Sequence, residues 1–520
     1  MKTRHSHRIT AILIAGLLAA SCTFDEVYLD SEPIVAQQAA AKLTYATISV
    51  ALSDPISRSP AVSDEAESDS IFSIRILMYG KNSTGEWICE SDVLAMNSGG
   101  KSATIEASSG QKRILVVAND YNRAWRFSNQ VGRTLTELVS MKTTAGYRLS
   151  SSEVDFGSPA LDGNSLTPMS TLNYASMAAP FVFSNSLADT SSLRELKPGV
   201  PFGVSIAGKN GDSDNNFRIF LKRSMAKVAA SYKGTFYPVP TEDGNGTLTD
   251  LYWGILNQNR AVAIFEIPGP GGKPVAPFFS ELNNWGQTTI GKAESYQAFW
   301  WNNQSATEEI NIPLTSSGKP SKYYYVPENA NETPLPGNIT CIAVKATYTP
   351  TGNSIITSFK HNNMFRHVTE ATRGQIETGA TFYRLTLTGD EDVAEQFAIR
   401  SNDIIQNKDL FATREEALRM AYIVENYGYD DGFNPTLYQP KNFVVETYLN
   451  GVCYYRMDIK NGTKTWVERN KAYHGGILSF RAVGDASVTS ANLSLPNESI
   501  YLGGTIEVIP WEDIYFEGEL

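Results

Sequence analysis

Apolar and polar residues alternate along short runs of this chain, and the clearest run lies near the N-terminus. Between Leu43 and Leu52, the apolar residues Ala46, Ile48 and Val50 alternate with small or polar residues. A period of two places successive side chains on opposite faces of an extended chain. The segment is therefore predicted to be a strand with one buried face.

Similar apolar runs recur along the chain, with turn residues between them. They are Ile74–Met78, Thr104–Ala107, Lys112–Ala118, Pro180–Phe183, Val204–Ile206, Phe217–Leu221, Ala226–Tyr232, Tyr323–Val326, Thr340–Tyr348, Phe382–Leu387 and Val452–Ile459. The polar stretch 209–216 divides the runs into two series, which predicts domains over residues 59–213 and 214–520. Many short strands in two blocks favour an all-β protein with two β-sandwiches in tandem.

One segment breaks this pattern. Thr413 and Glu416 have the spacing of a capping box, in which each residue caps a backbone amide at the start of a helix. Apolar residues continue at helical spacing as far as Ile423, and Gly428 can end the helix. The second domain is therefore predicted to carry short helical insertions.

The N-terminus has the features of an export signal. Lys2, Arg4 and Arg8 precede the apolar residues 10–20, which are too few to span a bilayer as a helix. Small residues lead to Cys22, as in a bacterial lipobox, except that Ala19 stands where leucine is usual. Residues 1–22 are predicted to be a lipoprotein signal peptide ending in a lipidated cysteine. The alternative is an ordinary signal peptide with an incidental cysteine.

Composition narrows the function classes. The 520 residues carry a formal net charge of −11, which leaves no basic surplus for binding nucleic acid. Four scattered cysteines form no CxxC pair, so a zinc site is not expected, and buried free thiols are favoured. The pair Asp430-Asp431 lacks the alternating spacing of a calcium loop.

The sequence also lacks the common catalytic motifs. It contains no G-x-S-x-G elbow, no P-loop, no H-E-x-x-H and no dinucleotide fingerprint. We therefore expect no enzyme activity, no catalytic residues, no metal and no cofactor.

Several segments together resemble the fimbrillins, the subunits of type V pili in Bacteroidales, and most closely the minor-fimbrium major-subunit branch. Their order and their spread over nearly the whole chain carry the resemblance. The segments are Ala46–Leu52, the loop with Arg58, Ile74–Tyr79, Gly110–Asn119, Arg223–Val228, Tyr324–Asn329, Gly451–Arg456, Val467–Asn470 with Tyr473, and Thr505–Trp511.

The resemblance implies two transthyretin-like β-sandwiches in a structural subunit of a cell-surface fimbrium that supports adhesion. It further implies that residues 23–58 are a propeptide and that an arginine-specific protease cleaves after Arg58, so that Ser59 becomes the N-terminus. The removable strand would contribute Ala46, Ile48, Val50 and Leu52. The alternative for Arg58 is a loop arginine without a role.

Loss of that strand would leave a groove for a strand from another subunit, as in donor-strand exchange. The candidate donor is the C-terminal tail, with Ile506, Val508, Ile514 and Phe516 as anchors. The alternative is that the tail is simply the last strand of its own domain.

The expected partners are other copies of the chain, other fimbrial subunits, the arginine-specific protease and, before processing, the outer membrane. A second hypothesis is a pilus-tip or surface adhesin that binds host glycans or proteins. Trp285, Trp300 and Trp301 could stack on sugars, although packing in a core is the favoured role for such residues.

Overall fold

The computed structural model describes part of the chain, and this part includes most of the predicted strands. It comprises residues 43–52, 71, 73–96, 102–118, 130–140, 143–144, 147–150, 153–156, 183–186, 192–201, 215–223, 225–256, 261–262, 265, 310, 312–315, 324–327, 339–388, 391–406, 409–460, 467–487 and 502–510.

Strands dominate the first half of the chain. They are β1 (Leu43–Leu52), β2 (Ser73–Lys81), β3 (Trp87–Met96), β4 (Ser102–Ser108), β5 (Gly110–Ala118), β6 (Thr143–Thr144), β7 (Tyr147–Ser150), β8 (Glu153–Phe156), β9 (Phe183–Ser184), β10 (Leu193–Leu196) and β11 (Asn216–Arg223), with the short helix α1 (Leu135–Ser140).

The second half adds further strands and two longer helices. The strands are β12 (Met225–Tyr232), β13 (Val239–Pro240), β14 (Gly246–Leu256), β15 (Ala261–Val262), β16 (Ile312–Pro313), β17 (Tyr324–Pro327), β18 (Cys341–Pro350), β19 (Ile355–Asn362), β20 (His367–Gly374), β21 (Phe382–Leu387), β22 (Leu410–Phe411), β23 (Phe443–Tyr448), β24 (Val452–Asp458), β25 (Lys471–Phe480) and β26 (Leu502–Pro510). The helices are α2 (Glu391–Ser401) and α3 (Arg414–Glu425), and a 3-10 turn covers Leu449–Gly451.

The first sheet has the order β3-β2-β5-β9-β11-β1-β4, with β10 paired to β5. Its two halves, joined by the two-residue β9, contribute side chains to a single hydrophobic core. Lys112 Nζ lies 2.6 Å from Glu90 Oε1 on β3 and 2.5 Å from Ser108 Oγ on β4. This buried bridge connects the two ends of the sheet, so the sheet closes into a sandwich.

A second sandwich follows. One sheet has the order β17-β12-β25-β26, and the other has the order β13-β14-β18-β24 with β16 beside β14. Both sheets send side chains into one core, among them the fully buried Trp253, Tyr348 and Tyr455. The predicted all-β fold with tandem sandwiches is confirmed.

The predicted boundary at residues 213 and 214 differs from the strand pairing. β11 follows that boundary, yet it pairs in parallel with β1 in the first sheet. The backbone amide of Arg223 donates to Asn470 Oδ1 at 3.2 Å, so the first and second sandwiches meet where β11 ends. The polar stretch before β11 is thus a connection within the first sandwich.

A third unit, residues 351–451, is inserted between the paired strands β18 and β24. Its sheet has the order β20-β19-β22-β21-β23, and α2 and α3 cover it around a separate core that includes Phe359 and Phe397. Thr413 Oγ1 accepts the Glu416 amide at 3.3 Å, and Gly428 adopts a positive φ of 88° just after α3. The predicted N-cap at Thr413 and the helix stop are confirmed, whereas the reciprocal bond from the Thr413 amide to the Glu416 carboxylate does not form.

Candidate functional site

The candidate site is the place that β1 occupies in the first sandwich. β1 lies between two strands, with Thr47–Leu52 paired in parallel with Asn216–Leu221 of β11. On the other side, Leu43–Ser49 pair antiparallel with Ser102–Ser108 of β4. The alternation read from the sequence therefore forms an interior strand of the first sheet.

One face of β1 belongs to the core. Ala46, Ile48 and Val50 are 1%, 0% and 6% exposed, and all three lie in the core cluster. Leu52 ends the strand opposite Leu221. The four predicted residues thus lie on one strand, and the three whose burial is described face the core.

The opposite face of β1 is partly exposed and polar. Tyr45 donates its hydroxyl hydrogen to Glu106 Oε2 at 2.7 Å, and this bond raises the pKa of Tyr45. Thr47 Oγ1 lies 3.2 Å from Thr104 Oγ1. These contacts run across to β4 and contribute little to the core.

A buried polar contact fixes the start of β1. The Thr44 hydroxyl donates to the Lys197 carbonyl at 2.7 Å and accepts the Val200 amide at 3.1 Å. Asn215 Nδ2 also donates to it at 3.0 Å, while Asn215 Oδ1 accepts the Lys197 amide at 2.8 Å. We name Lys197, Val200 and Asn215 the hydroxyl clamp.

The two side chains at the centre of this contact are buried. Thr44 is 0% exposed and Asn215 is 3% exposed. Asn215 has a φ of 61°, a left-handed conformation that asparagine tolerates better than most residues. Sequence reasoning missed this residue because it lies in the polar stretch 209–216, which was interpreted as a domain boundary. A detectable signal was Thr44, a polar residue in phase with the apolar face.

The C-terminal strand β26 lies in the second sandwich. Ile506 and Val508 are opposite Gly475 and Tyr473 of β25. β26 is the last strand of its sheet and, among the described strands, pairs with β25 alone. Ile514 and Phe516 lie outside the described residues.

Other predicted sites also lie outside the described residues. They are Cys22, Arg58 and Ser59, together with Trp285, Trp300 and Trp301. The loop that contains Arg58 connects β1 to β2 in the chain.

The three described cysteines are buried: Cys89, Cys341 and Cys453. Burial raises the pKa of the Cys89 and Cys453 thiols to about 12, so both are protonated at neutral pH. They behave as small apolar residues, as predicted.

Neither a metal centre nor a spanning helix is found in the described part of the chain. No group of three or more His, Cys, Asp and Glu side chains there could hold a metal ion. Within the same segments, no helix combines the length and apolar character needed to cross a bilayer.

A second surface lies at the end of the insert and is called the hairpin-tip surface. It comprises Met364, Phe365 and Arg366 between β19 and β20, and Tyr427 and Tyr429 after α3. Met364, Phe365 and Tyr427 are 85%, 62% and 71% exposed. The Arg366 guanidinium lies 4.5 Å from the centre of the Tyr429 ring.

Polar contacts hold this surface in shape. The amides of Met364 and Phe365 donate to Asn362 Oδ1 at 2.9 and 3.3 Å. Asn363 accepts the Asp430 amide at 3.0 Å, which connects the hairpin to the loop after α3. β19 has eight residues, Ile355–Asn362, so the tip lies about 23 Å from the start of that strand.

Comparison with protein-family models gives a match that begins in the first sandwich. Residues 46–179 match the family model of the major fimbrial subunit protein (FimA). The match begins within β1 and extends past β5, whereas β11 and the hydroxyl clamp lie outside it. The predicted resemblance to the fimbrillins is confirmed, while no curated protein matches the chain.

Solved structures give a broader comparison. A candidate cell adhesion protein from Parabacteroides distasonis is 13% identical, with 91% of this chain and 97% of that chain covered and a TM-score of 0.39. The tip fimbrial protein Mfa3 from Porphyromonas gingivalis, with a C-terminal truncation, is 12% identical, with 90% and 100% covered and a TM-score of 0.32. The fimbrial anchor protein Mfa2 from the same organism is 9% identical, with 90% and 98% covered and a TM-score of 0.28.

Proposed function

We propose that this chain, whose residues 46–179 match the major fimbrial subunit family, is a structural subunit of a cell-surface fimbrium that polymerises by strand exchange. It is exported as an outer-membrane lipoprotein anchored through Cys22. An arginine-specific protease cleaves after Arg58, which makes Ser59 the new N-terminus. Its role is structural rather than catalytic, and its partners are other copies of the chain and other fimbrial subunits.

The interior position of β1 carries this proposal. β1 pairs with a strand on each side and supplies apolar side chains to the core. A chain cut after Arg58 would hold β1 through non-covalent contacts alone. Loss of β1 would expose an apolar groove and two rows of backbone groups, which another strand can fill.

The energies explain why a replacement strand would be bound tightly. Burial of Ile48 and Val50 contributes about 1.5–3 kcal/mol for each side chain. Each backbone hydrogen bond along the two flanking strands adds about 1 kcal/mol. A strand that reproduces these contacts would dissociate slowly, and an empty groove would be unstable.

The tail is the proposed donor, with Ile506, Val508, Ile514 and Phe516 as anchors. Because β26 is an edge strand, its release would break pairing with β25 alone among the described strands. The alternative from the sequence, a last strand that stays in its own sandwich, predicts that tail truncation leaves polymerisation intact.

Protease treatment tests the proposal. The full-length precursor, incubated with an arginine-specific protease, should gain an N-terminus at Ser59 and form ladders that resist SDS. Arg58→Ala should keep its leading segment and stay monomeric under the same treatment. A cleaved chain that stays monomeric at all concentrations would refute polymerisation by strand exchange.

The hairpin-tip surface favours a second candidate function, an adhesin that binds host glycans or proteins. Exposed rings held beside a guanidinium and backbone amides suit ligands that offer both apolar and polar groups. Replacing Phe365 and Tyr427 by alanine should then reduce binding to host cells without changing polymerisation. Val444→Ala, at a site 49% exposed on β23, is the control.

A further inference from the structure

The hydroxyl clamp has a chemical preference that the rest of the groove lacks. A threonine hydroxyl offers one hydrogen and two lone pairs, and at Thr44 all three are used. The hydrogen goes to the Lys197 carbonyl, and the lone pairs accept from the Val200 amide and Asn215. The side chain is 0% exposed, so water does not take the place of these bonds.

An apolar residue at this position would offer no hydroxyl to the partly buried Val200 amide or to the buried Asn215 side chain. The Val200 amide would lose the Thr44 hydroxyl, and Asn215 would keep only the carbonyls of Tyr45 and Lys197 nearby. A buried donor that loses its partner costs more than an ordinary hydrogen bond gains. The position therefore discriminates between strands.

We propose that the hydroxyl clamp is a specificity subsite, which selects strands with serine or threonine two residues before the apolar residues that fill the core. The inference rests on the proposed strand exchange and adds which strands are accepted. In β1 the selected residue is Thr44, followed in phase by Ala46, Ile48 and Val50.

The chain's own tail does not meet this requirement. The residues in phase with its proposed anchors are Ile500, Leu502, Gly504, Ile506, Val508, Pro510, Glu512, Ile514 and Phe516. None of them is serine or threonine. The clamp therefore favours β1 over the tail of a sister chain, which protects the uncut precursor from premature exchange.

Peptide competition tests the proposal. The full-length chain is cut with an arginine-specific protease, and a fluorescent peptide with the sequence of residues 43–52 is bound to it. Unlabelled peptides with Thr44→Val or Thr47→Val then compete. Both remove one hydroxyl and keep the side-chain shape, but Thr47 faces away from the clamp and is half-buried.

Thr44→Val should compete roughly 10- to 100-fold more weakly than the parent peptide, while Thr47→Val stays within about threefold. Equal competition by the parent and Thr44→Val overturns the clamp inference and leaves strand exchange standing. Failure of the parent peptide itself to bind overturns strand exchange, and the clamp inference with it.

A protein variant adds an independent test. Asn215→Gly removes the carboxamide but keeps access to the positive φ at this position. The parent peptide should outcompete the Thr44→Val peptide by a smaller factor on this variant. That factor should shrink by at least about threefold, because one of the three hydrogen-bond partners of Thr44 is gone. An undiminished difference would exclude Asn215 from the subsite. If the variant does not fold, the Thr44 and Thr47 comparison on the natural chain decides.

Discussion

Replacing Ile48 by alanine should destabilise the precursor and leave the processed protein unchanged. Ile48 is 0% exposed in the core of the first sandwich, opposite Phe217 of β11. Truncation of such a buried isoleucine costs about 2–5 kcal/mol, which includes the cavity left behind. The processed chain begins at Ser59 and no longer contains this residue, so assembled subunits should match the natural ones.

The control is Ile219→Ala on β11, because Ile219 is also 0% exposed in the same core and lies opposite Val50. It should destabilise the precursor and the assembled subunits alike. Urea denaturation of the uncut chain and of protease-assembled ladders measures both states. If Ile48→Ala weakened the assembled ladders as much as Ile219→Ala does, β1 would still be present, and removal of β1 would be refuted.

Three further predictions concern other parts of the chain. Thr413→Ala removes the N-cap of α3 and should cost the insert about 1 kcal/mol, measured by urea denaturation. Burial lowers the pKa of His361 below its ordinary value of 6.5, although the nearby Asp430 carboxylate opposes this shift. Below about pH 6.5 the unfolded chain therefore binds more protons than the folded chain, and the insert should lose stability as the pH falls. His361→Asn should flatten this fall in thermal unfolding scans, whereas His367→Asn should not. Cys22→Ser should abolish incorporation of a labelled fatty acid.

Local features of the fold could be predicted from the sequence. The bounds of β1 could be predicted at both ends, because apolar residues alternate with small or polar ones from Ala46 to Leu52 and a proline follows at position 55. The start of α3 could be predicted from Thr413 and Glu416, because an N-cap depends on a contact between residues only three apart in the chain.

Pairing over long distances could not be predicted in this way. The run Phe217–Leu221 has the period of a strand, but period alone does not show whether its neighbour is β1 or a strand of the second sandwich. The helical insertions of the second domain could be predicted, but the extent of the insert could not, because β18 and β24 are paired although a whole folded unit separates them in the chain.

In the candidate site, too, local features could be predicted from the sequence and long-range contacts could not. The apolar anchors of β1 follow from alternation, whereas the clamp forms only when Thr44 meets Lys197 and Asn215 from distant segments. The sequence carries one local sign of the clamp, a polar residue at a position in phase with the apolar face of the strand. The partners of that residue are brought to it only by the tertiary structure.

Hydrogen exchange in the cut chain tests most directly whether the first sandwich needs a strand in the place of β1. After cleavage and displacement of the leading fragment, amides of β4 and β11 should exchange rapidly in isolated subunits, because β1 pairs with both strands. They should regain slow exchange in assembled filaments. Equally slow exchange in isolated cut subunits, with the leading fragment gone, would contradict the account.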